Sequence, residues 1–324
     1  MIKKLVPVII SLFLLFGLIW FSDVNKIYAT LIKTNLYYFF LAVGLWFASH
    51  IIKIIRWRYL LSTNGVHVNF LASFNIFTAG GFISNITPAK VGEPLKSLIL
   101  KKSEGVKVSL SVPSIFFERV FDIISLICLS LVSMVFLTKT IESIQDWLLA
   151  SMAVYSAFIA VTVFVLASKK RTLYVLSNAC KLFSFMPKMK GFSGRLEEFA
   201  ENFHNSLSSY KKKSVYIFVF LLSISIWIIE GFILYTIFMA FGFGVSLAST
   251  MFIVPVATLI SVITLLPGGI GSSEIVVVLF FTSLFGLTAA EVTSVALVAR
   301  VSTFWVSTFL GAYIFSKMKY KYKL

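Results

Sequence analysis

Residues 264–274 read TLLPGGIGSSE, and this stretch decides the fold. It ends an apolar run that begins at Leu247, and Pro267 and three glycines interrupt the backbone within a few residues. A broken backbone at membrane depth must be buried in protein or line a water-filled cavity, because lipid cannot satisfy its polar groups. The stretch 247–271 therefore predicts a re-entrant hairpin or broken helix in a membrane protein.

A second stretch, 85–93 (NITPAKVGE), repeats the pattern at the end of the apolar run 70–88. In both, a glycine follows the proline by four positions, a glutamate comes close behind, and a long span with one arginine follows. This predicts two re-entrant elements related by an inverted-topology repeat, an arrangement of transporters. The alternative is that Gly and Pro are simply frequent in transmembrane helices. The predicted backbone breaks and gates are Pro88, Gly92, Pro267, Gly268, Gly269 and Gly271.

Composition places the whole chain in the membrane class. Of the 324 residues, 59% are hydrophobic and 13% are charged, about half the charge of a soluble domain. These values exclude a soluble enzyme, a transcription factor and a disordered scaffold. The sequence predicts an all-α polytopic fold with two re-entrant elements and about six full spans, at 5–21, 36–55, 112–137, 147–167, 215–241 and 292–315. The first run lacks a small-residue cleavage site, so we expect a retained span rather than a signal peptide.

The 29 Lys and Arg residues give the orientation. With the N-terminus in the cytoplasm, 24 of them fall in cytoplasmic segments, as the positive-inside rule requires. The net charge of +16 therefore indicates membrane topology and not nucleic-acid binding. We expect a plasma-membrane protein with both termini in the cytoplasm. In this topology Arg56 is counted with the cytoplasmic cations, and Lys90 and Lys96 flank the first motif at that surface.

The chain divides into three parts: a first membrane repeat (1–167), a basic cytoplasmic loop (168–213) and a second membrane repeat (214–324). Within the loop, apolar residues at three- and four-residue steps predict an amphipathic helix at 195–210. This helix either lies on the anionic cytoplasmic leaflet or forms a solvated connection between the repeats. The loop is too small for a catalytic domain.

Charged residues inside apolar spans are the candidate functional residues, because each costs ~2.5–3.5 kcal/mol to insert. An arginine in each half, near a broken helix, suits a phosphate head group, because the guanidinium donates two parallel hydrogen bonds. The alternative is structural pairing of Arg119 with Glu93 or Asp122, and of Arg300 with Glu274. Glu230 and His50 are expected to be structural. The predicted substrate-binding residues are Asn85, Lys90, Glu93, Glu118, Arg119, Asp122, Glu274 and Arg300.

No motif predicts enzyme chemistry. The sequence has no nucleophile elbow, P-loop or DxD pair. Its two cysteines and three histidines lack metal-ligand spacing. We therefore expect no catalytic residue, no metal site and no cofactor.

The motifs at 85–93 and 267–274, together with Glu118-Arg119, Asp122 and Arg300, resemble the lysylphosphatidylglycerol synthase transmembrane region, or flippase-like, family. The resemblance covers essentially the whole chain, although Ala89-Lys90 stands where the family often has Gly-Arg. It implies movement of an aminoacylated phospholipid between leaflets. It does not imply lysyl transfer, which belongs to a separate soluble domain of the synthases. Stand-alone relatives look tied to glycolipid or polyprenyl-phosphate pathways.

Three functions remain open at this point. The first is a flippase or scramblase for a phospholipid or a polyprenyl-phosphate-linked lipid, in which Arg119 and Arg300 contact phosphate. The second is a membrane-embedded transferase or accessory subunit that acts on such a lipid. The third is an ion-coupled transporter of a small solute. The expected partners are membrane lipids, anionic or aminoacylated, and self-association is left open.

Overall fold

The computed structural model describes residues 2–87, 92–137, 212–264 and 266–322, with isolated positions between 138 and 211. Every regular element in these ranges is helical, which confirms the predicted all-α polytopic membrane fold. The first half contains α1 (Ile2–Phe21), α2 (Val24–Leu31), α3 (Leu36–Thr63), α4 (Phe70–Ile86), α5 (Leu95–Glu104) and α6 (Val108–Phe136). The second half contains α7 (Lys213–Ala240), α8 (Leu247–Ile263), a 3₁₀ turn (Pro267–Gly269), α9 (Ser272–Phe285), α10 (Ala289–Arg300), a π-helical turn (Val301–Trp305) and α11 (Val306–Tyr322).

Five stretches of the described chain are long and apolar enough to cross a membrane: α3, α6, α7, Pro267–Phe285 and Ala289–Tyr322. A sixth exists if α1 and α2, which meet at 86°, are one bent span. The bend lies at Asp23, whose φ is positive and whose carboxylate accepts hydrogen bonds from the first N–H groups of α2. The predicted span 147–167 and the predicted helix 195–210 fall outside the described residues, apart from isolated positions.

The helices α4 and α8 end at the two motifs. Each has 17 residues, or about 25 Å, which is short of the ~30 Å hydrocarbon core. Each also packs against the helix that follows the break, α4 against α5 and α8 against α9. The chain therefore turns back on itself at both motifs, as a re-entrant hairpin does. The helix α9 after the second break is an addition to the predicted elements.

The two halves have matching helices in the same order. The helices α3 and α7 are equal in length, as are α4 and α8. The number of positions from the first residue of α3 to that of α7 equals the number from the first residue of α4 to that of α8. The helices α3 and α7 run antiparallel, because Ser49 contacts Glu230 whereas Arg56, further along α3, contacts the earlier residue Ser223. The contacts between helices also cross from one half to the other. The helix α4 of the first half packs against α11 of the second, and α8 of the second half packs against α6 of the first. An inverted repeat would have these relations, and the repeat itself stays a prediction.

Of the four hydrophobic cores in the described helices, two are much larger than the others. The larger one lies mainly between α7, α8, α9 and α10, where Phe238, Phe252 and Phe280 are fully buried. The smaller one joins α3, α4, α5 and α11 around Trp57 and Ile76. The charged cluster described next borders this smaller core.

Candidate functional site

Six charged side chains from α3, α6 and the start of α5 form one connected cluster inside the helix bundle. It contains three cations and three anions, so its formal charges cancel. Its members are Arg56, Glu93, Lys96, Glu118, Arg119 and Asp122.

The buried part of the cluster contains three ion pairs. Arg56 Nη1 lies 2.6 Å from Asp122 Oδ1 and donates a second hydrogen bond to the Ser223 hydroxyl. Lys96 Nζ lies 2.6 Å from Glu118 Oε2, and Glu118 Oε1 lies 3.6 Å from Arg56 Nε. The Arg56 and Lys96 side chains are only 1% and 2% exposed. Each buried carboxylate therefore has a cation beside it, as its removal from water requires.

Arg119 forms the accessible edge of the cluster, with 39% of its side chain exposed. Its Nη2 lies 3.1 Å from Glu93 and 3.0 Å from Asp122, whereas its Nε is buried without a hydrogen-bond partner. Among the described residues, none forms an ion pair with its Nη1. Asp122 is held in place independently, because it also pairs with Arg56 and accepts a hydrogen bond from the Trp227 indole N–H. Within the described part of the chain, Arg119 therefore has guanidinium donors that no ion pair uses.

Arg300 occupies the corresponding place beside the second hairpin, but it is bound differently. Its Nε pairs with Glu274, Nη1 donates to the Gly268 carbonyl at 3.0 Å, and Nη2 donates to the Gly269 carbonyl at 3.0 Å and to the Ser273 hydroxyl. Glu274 also accepts a hydrogen bond from the Gly271 N–H at 2.9 Å. Arg300 thus fastens the broken segment to the last span, and the protein uses all three of its nitrogens.

The two arginine–glutamate pairs match each other in position. Glu93 and Arg119 are separated in sequence by the same distance as Glu274 and Arg300. Each arginine is also the twelfth residue of its span, Arg119 in α6 and Arg300 in Ala289–Tyr322. The twelfth residue lies about 16 Å along a helix, near the middle of a ~30 Å hydrocarbon layer. The two pairs are therefore expected at similar depths.

The end of α4 meets the break of the second hairpin. A β-carbon on Gly268 would lie 3.3 Å from the Asn85 carbonyl oxygen and would collide with the Phe304 ring. Gly268 also has φ of +59°, a second reason why glycine is needed there. The Asn85 side chain donates to the Thr308 hydroxyl at 3.1 Å. The two discontinuous segments therefore approach each other inside the bundle.

A separate ion pair links the long helices α3 and α7. Lys53 Nζ lies 2.7 Å from Glu230 Oε1, which also accepts a hydrogen bond from Ser49. On the neighbouring turn, His50 bonds to the Thr78 hydroxyl at 2.8 Å and stacks on Trp46. Both Glu230 and His50 thus make contacts that join one helix to another.

Most of the predicted site residues are brought together, in two groups. Glu93, Glu118, Arg119 and Asp122 share the six-residue cluster, while Glu274 and Arg300 lie at the second hairpin with Asn85 nearby. Gly92 closes the first break: its N–H donates to the Thr87 hydroxyl, and a β-carbon there would collide with the Ile83 carbonyl. Pro88 and Lys90 lie outside the described residues. Within the described ranges, no three His, Cys, Asp or Glu residues are grouped to hold a metal.

The prediction that Arg56 and Lys96 are cations at the cytoplasmic surface was wrong. Both are buried, because α3 continues beyond Arg56 to Thr63 and α5 brings Lys96 against α6. The available signal for Arg56 was that large apolar residues, Trp57, Leu60 and Leu61, still follow it in α3. The sequence holds no comparable signal for Lys96, whose ammonium lies over the aromatic rings of Trp57 and Phe77.

Comparison with known proteins identifies chains that are similar to this one over nearly its whole length. The sequence model of the lysylphosphatidylglycerol synthase transmembrane region matches residues 8–311. A UPF0104 membrane protein of Methanocaldococcus jannaschii is 25% identical over 95% of this chain and 93% of its own length. Others are those of Pyrococcus horikoshii, 23% identical over 97% of both chains, and Methanothermobacter thermautotrophicus, 24% identical over 95% of this chain and 94% of its own. No solved structure matches significantly.

Proposed function

The chain belongs to the lysylphosphatidylglycerol synthase transmembrane region family, and on this premise we propose that it moves a phospholipid or a polyprenyl-phosphate-linked lipid between leaflets. The observation that carries the proposal is the state of Arg119. This arginine lies near the middle of its span, its side chain is 39% exposed, and it keeps guanidinium donors that the described part of the protein does not use.

The exposure of Arg119 implies a polar opening at mid-depth. Charged side chains inside a membrane face the bundle interior or a wet cavity, because contact with hydrocarbon is costly. The exposed edge of Arg119, with its partner Glu93 at 19% exposure, supports such an opening. A lipid phosphate that entered it would receive two parallel hydrogen bonds from the guanidinium. A cationic head group, such as a lysyl group, would pair with Glu93.

The remaining charges have supporting roles in the proposal. Asp122 and Glu93 hold the guanidinium in position, and Arg56 and Lys96 neutralise the carboxylates beneath it. Arg300 and Glu274 fix the second hairpin. We propose that the halves form an inverted repeat, so that the hairpins open the site to opposite leaflets. We further propose that the protein lies in the plasma membrane with both termini in the cytoplasm.

The experiment is a lipid-translocation assay in proteoliposomes. Fluorescent anionic, zwitterionic and lysyl-modified lipids are placed in the inner leaflet, and their arrival outside is followed by a membrane-impermeant quencher. Arg119→Gln should slow translocation at least tenfold, because a charge-assisted hydrogen bond is worth ~1.5–3 kcal/mol. Lys26→Gln is the matched control, since Lys26 is an exposed cation that pairs with the neighbouring Asp23.

Normal translocation by folded Arg119→Gln would contradict the role of this arginine. If no lipid moves faster than in empty liposomes, the proposal fails for the lipids tested. A covalently altered lipid, detected by mass spectrometry, would then favour the transferase. Solute uptake that an ionophore abolishes would favour the ion-coupled transporter.

A further inference from the structure

A pocket of about 300 Å³ lies where α4, α5 and α11 meet, away from the charged cluster. Its floor is apolar and includes Ile76 from α4 and Met318 from α11, both buried. Its rim is polar and includes Asn75, Lys317 and Lys321. The pocket is therefore amphipathic, with an apolar floor and a basic edge.

The basic edge lies near the end of the last span. Lys317 follows Arg300 in one continuous helical stretch and lies about 25 Å further along its axis. Tyrosine and lysine are residues that occupy the boundary between hydrocarbon and water. Tyr313 and Lys317 are both part of the pocket lining, so the rim is expected at the level of the lipid head groups.

The two lysines of the rim are available to an anion. They are one helical turn apart, on the same face of α11. Their ammonium groups lie over tyrosine rings, Lys317 4.4 Å from Tyr313 and Lys321 5.1 Å from Tyr322. Among the described residues, no carboxylate forms an ion pair with either lysine. Glu104 also lines the pocket, so its described lining carries two cations and one anion.

We propose that this pocket binds the phosphate head group of an anionic membrane lipid. Lys317 and Lys321 would hold the phosphate, and the first part of an acyl or isoprenoid chain would lie on Ile76 and Met318. The bound lipid would bridge α4 and α11, which pack closely enough that a β-carbon on Gly311 would lie 2.7 Å from the Thr78 carbonyl oxygen.

The described part of the other half has no counterpart of this pocket edge. The corresponding contact in the other half is that of α6 with α8, where Leu126 packs against Leu259. By the same pairing of helices, the segments that correspond to the pocket are the end of α6 and the start of α8. The described parts of those segments, 129–137 and 246–255, contain no charged residue, and the first charged residue after the end of α6 is Lys139. We therefore assign the pocket to the leaflet on the basic side, and this inference does not depend on lipid transport through the charged cluster.

The test measures lipid binding to the full-length protein in detergent by native mass spectrometry. The protein is titrated with dioleoyl phosphatidylglycerol, with dioleoyl phosphatidylcholine and with inorganic phosphate. We compare Lys317→Gln, Lys321→Gln and their double variant with the control Lys319→Gln, because Lys319 is an exposed lysine of the same helix end that does not line the pocket.

Phosphatidylglycerol should bind more tightly than phosphatidylcholine, and each pocket lysine removed should weaken its binding about fivefold. Lys319→Gln should bind it as the unaltered protein does. Equal losses in Lys317→Gln and Lys319→Gln would overturn the site, because they would indicate nonspecific attraction. Equal binding of phosphatidylcholine would overturn the selectivity for anionic lipid. Inorganic phosphate that displaces the lipid at equal concentration would make the ligand a soluble anion instead.

Discussion

Arg119 and Arg300 lie at matching depths in their spans, yet only Arg300 has all of its guanidinium nitrogens bound by the described part of the protein. Arg300 contacts the carbonyls of the broken segment, while Arg119 makes its described ion pairs through Nη2 alone. The sequence treats the two as equivalent phosphate ligands. The geometry instead gives Arg300 a positioning role and leaves Arg119 with donors for a ligand.

This difference predicts unequal effects on stability. Arg300→Gln removes two carbonyl hydrogen bonds and leaves Glu274, which is 3% exposed, without its cation. We expect a loss of ~3 kcal/mol and a clearly lower Tm in detergent. Arg119→Gln should cost ~1 kcal/mol or less, because its side chain is 39% exposed and Asp122 keeps Arg56. Equal Tm shifts for the two variants would contradict the assignment.

The break at Gly268 predicts a second pair of variants. Gly268→Ala adds a β-carbon that meets the Phe304 ring, in addition to the cost of a positive φ, and it should disturb the hairpin. Gly286 also has a positive φ, but nothing lies within 4 Å of a β-carbon there. Gly286→Ala therefore measures the backbone cost alone, about 1 kcal/mol.

We expect Gly268→Ala to lower the Tm several degrees further than Gly286→Ala, and Phe304→Ala in the same chain to restore part of the loss. Thermal unfolding in detergent measures both effects. Identical Tm values for the two glycine variants would show that the Phe304 contact is unimportant.

The elements that could be predicted from the sequence are those marked by long apolar runs or by paired motifs. The two short helices α4 and α8 and their breaks were visible because proline and glycine interrupt apolar residues at 88 and 267. The pairs of Arg119 with Glu93 and Arg300 with Glu274 were anticipated as an alternative, because few charges occur in the spans.

The burial of Arg56 and Lys96 could not be predicted in the same way. A lysine or arginine near the end of an apolar run usually marks the membrane surface, and the positive-inside rule counts it there. Whether such a residue is buried depends on which helix packs against it. Lys96 is buried because α5 folds back onto α6, a tertiary contact that no local pattern encodes.

The ion pair of Lys96 and Glu118 predicts strong coupling between the effects that substitutions of the two residues have on stability. Because both side chains are at most 2% exposed, removing one leaves the other charge buried. Lys96→Met or Glu118→Gln alone should each cost ~3–5 kcal/mol. The double variant should be less destabilised than the sum of the singles, and thermal unfolding of all four proteins measures the coupling. Additive effects would show that the two charges do not depend on each other.

The proposed orientation in the membrane predicts from which side an introduced cysteine can be labelled. With Cys128 and Cys180 replaced by serine, Lys26→Cys should be labelled in intact cells by a membrane-impermeant maleimide. Lys319→Cys should be labelled only after the membrane is opened. The physical reason is that cytoplasmic segments retain Lys and Arg. The reverse labelling pattern would invert the topology without changing the fold.

The contact between Lys53 and Glu230 allows a direct test of the inverted repeat. Their sequence separation of 177 is the offset that relates α3 to α7, and they touch where these antiparallel helices cross. Contact between equivalent positions is expected on a pseudo-two-fold axis, so the two charges should be interchangeable. Lys53→Glu alone places two carboxylates together, and Glu230→Lys alone places two ammonium groups together, so each should lower the Tm. The exchanged double variant should recover most of the loss, because Ser49 can hydrogen-bond to either charge. Failure of the exchange to recover stability, with both singles folded, would mean that the surroundings of the two positions are not equivalent.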